Sequence, residues 1–194
     1  MHLLSAPFHP ERASEIRDDQ IRQVLLYLRG QYDYVLIDTP KSFSAESLAT
    51  FEQADDLFLV ATIDLPSLRN IQRVMPLLRK VMPRGMEQVH LVINRYDPDT
   101  EVKLKDVEKT LGVPVFGTLA NDYETLIRSV NTGKPVVIAA PKSNYAHDVQ
   151  ELARKIAEVE APGTEAADDQ EGNLLSRLWR KPKDVNQRGG QRRG

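Results

Sequence analysis

The apolar run "YDYVLIDTP" at residues 32–40 ends in an acidic residue whose position suits a metal ion. In open α/β sheets, ligands bind at the carboxyl ends of the strands. A carboxylate at such an end can hold Mg²⁺ directly or through a water molecule, and Thr39 and Pro40 then turn the chain away. Asp38 is therefore a candidate metal ligand. The alternative is an aspartate that caps a following helix, which is common.

The sequence offers little support for other kinds of catalytic centre. It contains no cysteine, which excludes disulfides, thiolate zinc sites and a cysteine nucleophile. The four histidines have no partner at metal-ligand spacing, and no serine lies in a nucleophile-elbow motif. The turn "DPDTE" lacks the glycine and the final glutamate of a calcium loop. The strand that ends at Asp38 therefore carries the leading chemical hypothesis.

Short apolar runs that could hold such a site in place alternate with helical patterns. Three runs, "YVLI", "LFLVAT" and "HLVIN", are continuous rather than alternating. Continuous apolar runs are typical of strands that are covered on both faces of a parallel sheet. The predicted strands are residues 2–6, 32–38, 57–62, 89–94, 113–119 and 135–139.

Helical spacing of apolar residues predicts helices between these strands. The predicted faces are Ile21, Val24, Leu25 and Leu28; Leu68, Ile71, Met75 and Leu78; Val102, Val107 and Leu111; and Tyr145, Val149, Leu152, Ile156 and Val159. Pro66 suits a first helical turn, Gly112 and Gly133 suit helix ends, and Asn121 with Glu124 suits a capping pair. This alternation predicts a doubly wound α/β fold with a mostly parallel sheet.

The bulk composition fits one globular domain with a real core. The chain has 194 residues, of which 41% are hydrophobic and 28% are charged. No apolar run approaches the roughly 18 residues that a spanning helix needs. The formal net charge is only −2, but residues 173–194 hold seven basic residues and one acid, so that segment is near +6 and the remainder near −8.

The composition changes after residue 160. We expect a folded domain over residues 1–160, a flexible acidic linker over residues 161–172 and a basic amphipathic helix with a disordered end over residues 173–194. In the last segment, "LLSRLWRKPK", apolar and basic side chains share one short helix. The candidate contact residues are Leu174, Leu175, Arg177, Leu178, Trp179, Arg180 and Lys181.

A basic amphipathic helix of this kind is typical of binding to an anionic membrane surface. Docking of the helix on its own domain or on a protein partner remains an alternative. Nucleic-acid binding by the terminal "QRGGQRRG" has less support, because the segment has one short basic cluster and no aromatic platform. Residues 1–172 are also net acidic, so nucleic acid is not the expected partner.

Four motifs in order resemble the MinD/ParA family of deviant Walker ATPases, and most of all its CpaE/TadZ pilus-assembly branch. They are "HLLSAPFHPERASEI", "YDYVLIDTPKSFSAESLATFEQADDLFLVATIDLPSLRN", "QVHLVINRYD" and "GVPVFGTLANDYETLIRSVNTGKPV". The resemblance covers roughly residues 2–160. It implies a P-loop NTPase-like fold of the SIMIBI class, with ATP and Mg²⁺ as cofactors.

The resemblance also implies roles for individual residues. Asp38 matches the magnesium-side catalytic acid, and Asn94 with Arg95 matches the pair that meets the adenine edge. An asparagine amide both donates and accepts hydrogen bonds, which suits a purine, although a polar strand-end cap is the alternative for Asn94. The residues that match the loop against the base and ribose are Leu119, Asn121 and Asp122.

The sequence departs from the family by lacking the glycine-rich phosphate loop with its two lysines. We therefore expect no ATP hydrolysis by these 194 residues, weak or no ATP binding, and a native protein that is longer. The implied role is an ATP-dependent dimerising switch in Tad/Flp-type pilus assembly or localisation. The implied setting is the bacterial cytoplasm, peripheral and polar at the inner membrane, with a homodimer partner and pilus-assembly or secretion proteins. Alternatives are a non-catalytic scaffold and a ParA-type partitioning ATPase.

Overall fold

The computed structural model describes residues 2–5, 16–40 and 44–159 in two compact units. Among the described residues, the first unit is residues 2–5, 16–40 and 44–50, and the second is residues 51–159. The elements are α1 (Asp18–Arg29), α2 (Ala45–Gln53), β1 (Leu57–Ala61), α3 (Leu65–Val81), β2 (Val89–Tyr96), α4 (Leu104–Leu111), β3 (Val115–Ala120), α5 (Tyr123–Thr132), α6 (Val136–Ala139) and α7 (Asn144–Val159). A short 3₁₀ helix, Met86–Gln88, precedes β2.

The second unit contains a parallel sheet in the order β1-β2-β3. The pairing of β1 with β2 runs regularly from Leu57 opposite Val89 to Ala61 opposite Ile93. Parallel strands require a crossover connection, and α3 and α4 supply the two crossovers. The predicted α/β class with a parallel sheet is therefore confirmed.

The central strand β2 is enclosed on both faces. Leu91, Val92 and Ile93 are consecutive residues, and each is at most 1% exposed. Successive side chains of a strand point to opposite faces, so three buried neighbours require cover on both sides. The continuous run "HLVIN" thus has the environment that its pattern predicts.

The ends of the helices follow their local sequence. The Asp64 side chain caps α3 by accepting a hydrogen bond from the Ser67 backbone N–H at 2.8 Å, and Pro66 lies in the first turn as predicted. Helix α4 ends at Gly112, whose φ of 69° is left-handed. Such a φ disfavours residues with a Cβ, which is why glycine marks this end.

Three of the predicted strands are wrong. Residues 2–5 and 32–40 carry no strand in the described part of the first unit, and Ala6 lies outside the described residues. Residues 34–37 are exposed, Leu36 at 86%, which is the opposite of a strand covered on both faces. Apolar composition alone does not make a strand, because a strand also needs a hydrogen-bonded neighbour.

The third wrong strand, residues 135–139, is the short helix α6. Pro135 has a φ of −53° and occupies the N-cap position, where its missing N–H costs nothing. The Ile138 and Ala139 N–H groups both donate to the Pro135 carbonyl at 2.9 Å. Residues 136–139 therefore form a helical turn, although valine and isoleucine at these positions favour a strand.

Candidate functional site

The carboxyl ends of β2 and β3 lie side by side. Ile93 is opposite Thr118, and Tyr96 is opposite Ala120. Just beyond β3, the Asn121 N–H donates a hydrogen bond to the Tyr96 carbonyl at 3.1 Å. The polar residues at the end of β2 and just after β3 are thereby brought to one edge of the sheet, which is where ligands bind in such folds.

Arg95 has an unusual backbone conformation at this edge. Its φ is +52°, the only positive φ of a non-glycine residue in the described ranges. The β2–β3 register shifts between Ile93 and Tyr96, so the strand bulges here. A positive backbone φ is strained at a residue with a long side chain, and such strain concentrates at binding sites. Arg95 is exposed, so its guanidinium is available to a ligand.

The side chain of Asn94 is half-buried, and only its oxygen forms a hydrogen bond among the described residues. Its Oδ1 accepts a hydrogen bond from the Arg95 N–H at 2.9 Å, which supports the bulged conformation. Within the part of the chain that the structure describes, its amide NH₂ has no such partner. Asn94 can therefore donate to a ligand while its oxygen holds the backbone.

Asp122 is the N-cap residue of α5, where the sequence predicted Asn121. Its Oδ1 accepts a hydrogen bond from the Thr125 N–H at 3.2 Å. The predicted pair of Asn121 with Glu124 is wrong by one residue, because the Asn121 N–H is used to tie the chain to β2. Asn121 is exposed and Asp122 is half-buried, so both side chains lie near the surface of the same edge.

Asp148 on α7 fixes the end of β3 and was not predicted. Its Oδ2 accepts a hydrogen bond from the Ala120 N–H at 2.7 Å. Burial, together with the negative charge of Asp148, raises the pKa of the Tyr145 hydroxyl on the same helix. A contact between residues 28 positions apart leaves no signal in the sequence, and the stripe of α7 indicated only that the helix packs.

The remaining predicted residues are placed differently. Leu119 is 8% exposed, so its side chain is part of the core, and its contact with a base stays a prediction. Asp38 belongs to the first unit, where it is exposed in residues 34–40, which have no regular secondary structure, and its magnesium role also stays a prediction. The predicted linker and the residues Leu174 to Lys181 lie outside the described residues.

Metal and membrane features of the described residues are limited. No group of three or more histidine, aspartate or glutamate side chains within them could hold a metal ion. No helix in the same ranges is both long and apolar enough to cross a bilayer.

Solved structures define the class of fold. A ParA family ATPase from Chlorobium tepidum TLS matches with a TM-score of 0.69 and 22% identity, over 78% of this chain and 61% of that one. MinD from Aquifex aeolicus matches with a TM-score of 0.66 and 20% identity, over 78% and 65%. MinD from Pyrococcus horikoshii OT3, solved with Mg-ADP, matches with a TM-score of 0.64 and 20% identity, over 79% and 63%. The fold is that of the MinD/ParA ATPases.

Sequence comparison then gives the family. The model of the family described as "Cellulose biosynthesis protein BcsQ" matches residues 9–156, and the chain belongs to that family. MinD of Synechocystis sp. is 25% identical over 83% of this chain and 61% of its own length. MinD of Helicobacter pylori is 31% identical over 66% of this chain and 50% of its own length. The chain thus spans about half the length of the curated relatives that it matches.

Proposed function

We propose that the edge of β2 and β3 forms the adenine side of an ATP site. The observation that carries this proposal is that Asn94 and Arg95 at the end of β2, and Asn121 and Asp122 just after β3, lie at the carboxyl ends of two adjacent parallel strands. The strained φ of Arg95 supports it, because a binding role gives a reason to retain that conformation.

Each side chain has a suitable chemical role at this edge. The Asn94 amide NH₂ donates to a ring nitrogen of adenine, since its oxygen is held by Arg95. The planar Arg95 guanidinium stacks on the base. Asn121 and Asp122 accept hydrogen bonds from the ribose hydroxyls, and the second carboxylate oxygen of Asp122 is available because Oδ1 caps α5.

The magnesium role is proposed for Asp38 by itself. Asp38 would hold Mg²⁺ through water, since Mg²⁺ is typically bound by one or two carboxylates with water and phosphate oxygens. The Pyrococcus MinD structure with Mg-ADP is the precedent within the fold. These 194 residues include no phosphate-loop motif, so we expect nucleotide binding through the base and no hydrolysis. Steady ATP turnover that disappears in Asp38→Ala would contradict this.

In the cell, we propose an ATP-dependent dimerising switch at the inner face of the bacterial membrane. Residues 174–181 would supply a weak lipid contact that dimerisation doubles. The proposed machinery is a Tad/Flp-type pilus, which the motif pattern favours. Cellulose export is the second candidate, because the matching family model carries that description. A partner protein fits either case, as MinD of Aquifex aeolicus is found in a MinC:MinD complex.

Competition with a fluorescent ATP analogue tests the base site. We expect a Kd on the order of millimolar, with adenosine within about threefold of ATP and guanosine weaker. Asn94→Ala should weaken binding about fivefold to tenfold through the lost hydrogen bond. Asn131→Ala, an exposed asparagine on α5, is the matched control and should change nothing. Equal binding of adenosine and guanosine would contradict a site that reads adenine.

Gene deletion separates the two candidate machineries. Loss of surface pili with normal cellulose would support pilus assembly, and the reverse would support cellulose export. A deletion that is complemented equally by the wild type and by Asn94→Ala would favour a scaffold that works without nucleotide.

A further inference from the structure

Six lysines and arginines are concentrated on the neighbouring helices α3 and α4. We refer to these exposed cations as the basic face: Arg69, Arg73, Arg79, Lys80, Lys105 and Lys109. The two helices hold only two acids, Asp106 and Glu108, and α3 has none in its 17 residues. Their net charge of +4 contrasts with −2 for the whole chain. Positive charge is therefore segregated in this part of the second unit.

Side-chain contacts connect helix α3, which carries four of these cations, to helix α4, which carries two. Arg73 and Lys80 follow Arg69 by four and eleven positions, a spacing that places all three on one side of α3. The Gln72 amide on α3 donates to the Thr110 carbonyl of α4 at 3.5 Å. The Arg79 guanidinium lies beside Gly112, where α4 ends. Arg79 therefore lies where the two helices meet, next to the end of α4.

Neither acid of the two helices forms an ion pair with the basic face. The Glu108 carboxylate turns inward and accepts a hydrogen bond from the Val115 N–H at 2.8 Å. None of the six cations forms an ion pair within the ranges that the structure describes. Asp106 is the one acid of these two helices that remains exposed without such an engagement. The face consequently carries a positive potential over much of α3.

A shallow depression on this face adds apolar character. It is lined by Leu65, Pro66, Arg69, Asn70 and Arg73, and Leu65 is 60% exposed. An anionic bilayer offers phosphate groups above hydrocarbon. Arginines can bind the phosphate groups, and the apolar depression (the notch) can contact the hydrocarbon. The notch has no aromatic ring on which a nucleic-acid base could stack.

We infer that the basic face rests on an anionic lipid surface. The inference builds on the membrane role proposed above and gives the folded domain a lipid contact besides residues 174–181. From Arg69 to Lys80 the helix rises about 16 Å, enough to meet several headgroups at once. The attraction is electrostatic and decays within a Debye length, so it should weaken as salt is added. Each cation contributes little alone, and the contact is reversible.

Vesicle co-sedimentation of the full chain tests this inference. The probes are phosphatidylcholine vesicles with about one third phosphatidylglycerol, and vesicles of phosphatidylcholine alone. Arg69→Gln with Arg73→Gln should lower the partition coefficient on anionic vesicles about tenfold to thirtyfold. Arg69→Lys with Arg73→Lys keeps the charge and should bind like the wild type. Arg128→Gln with Lys142→Gln removes equal charge from other exposed positions and should change binding less than about threefold.

The variant Trp179→Glu separates this inference from the proposed function, because it changes residues 174–181 (the tail) and leaves the basic face intact. We expect it to weaken binding, and the Arg69/Arg73 pair to weaken it further. If only Trp179→Glu has an effect, the tail proposal stands and the inference is overturned. Equal losses in the two glutamine pairs would show a general charge effect and would also overturn it. Failure of the wild type to bind either vesicle would overturn both. If Arg69 and Arg73 instead direct binding to duplex DNA or to an acidic peptide, the inference about the basic face is overturned.

Discussion

Gln88 is a buried polar side chain that connects the start of β2 to the chain before β1. Its amide NH₂ donates to the Ala54 carbonyl at 3.0 Å and to the Asp55 carbonyl at 2.7 Å. Its Oε1 accepts from the Arg84 N–H at 2.6 Å. Gln88 is 4% exposed, so water cannot replace these bonds. We therefore regard it as a structural residue at the end of the sheet opposite the candidate site.

Gln88→Ala should lower the free energy of unfolding by about 2–3 kcal/mol, because it leaves buried backbone groups without partners. Gln72→Ala is the matched control. Gln72 is exposed and makes one long bond, so its replacement should cost less than about 0.5 kcal/mol. Urea unfolding of both variants measures the difference. Equal losses would show that the buried network contributes nothing.

Asp64 gives α3 a pH-dependent cap. Hydrogen bonds from the Thr62 hydroxyl and the Ser67 N–H lower the pKa of its carboxyl. A lowered folded pKa means that the stabilisation is present above the unfolded value near 3.9 and is lost as pH falls through the folded value. Asp64→Asn keeps an acceptor at the cap without titrating. It should show a smaller fall in stability between neutral pH and pH values below 4, measured by urea unfolding, and an identical fall would contradict this role.

The residues of the candidate site were predictable only in part. Asn94, Arg95, Asn121 and Asp122 follow from strand ends and family motifs. The positive φ of Arg95 and the bond from Ala120 to Asp148 do not, because both depend on how β2, β3 and α7 meet. Chemistry that is local in sequence could be predicted, and geometry that arises from tertiary packing could not.

The helices show how local signals can suffice for an element. Helix α3 begins with its aspartate cap and proline, and α4 ends at the expected glycine. The strands were harder to predict, since residues 32–38 and 89–94 have the same continuous apolar pattern. Only the second run lies between two paired strands. A strand is defined by its neighbours, which the run itself does not encode.

Gly112 tests the local signal at the end of α4. Gly112→Ala should cost about 1–2 kcal/mol, because φ of 69° crowds a Cβ against the backbone. Gly112→Asn should cost less, since asparagine tolerates this conformation. Thermal unfolding of the two variants gives the order. An alanine variant as stable as the wild type would mean that the helix end relaxes.

At the level of the whole molecule, the described second unit combines two surfaces with different chemistry. One is the edge of β2 and β3 with its amide, carboxylate and guanidinium groups. The other is the basic face of α3 and α4. A protein with a nucleotide edge and a lipid-facing helix pair would suit a switch that works at a membrane surface, as proposed above.

Nuclear magnetic resonance tests the proposed adenine site at the edge of β2 and β3 most directly. The ¹⁵N-labelled chain is titrated with adenosine and with Mg-ATP. We predict that the backbone amide shifts concentrate at Asn94, Arg95, Asn121 and Asp122. We also predict that in Asn94→Ala these shifts require about fivefold to tenfold more ligand, while the remaining spectrum is unchanged. Shifts that are absent at saturating ligand, or that lie elsewhere in the chain, would contradict an adenine site at the ends of β2 and β3.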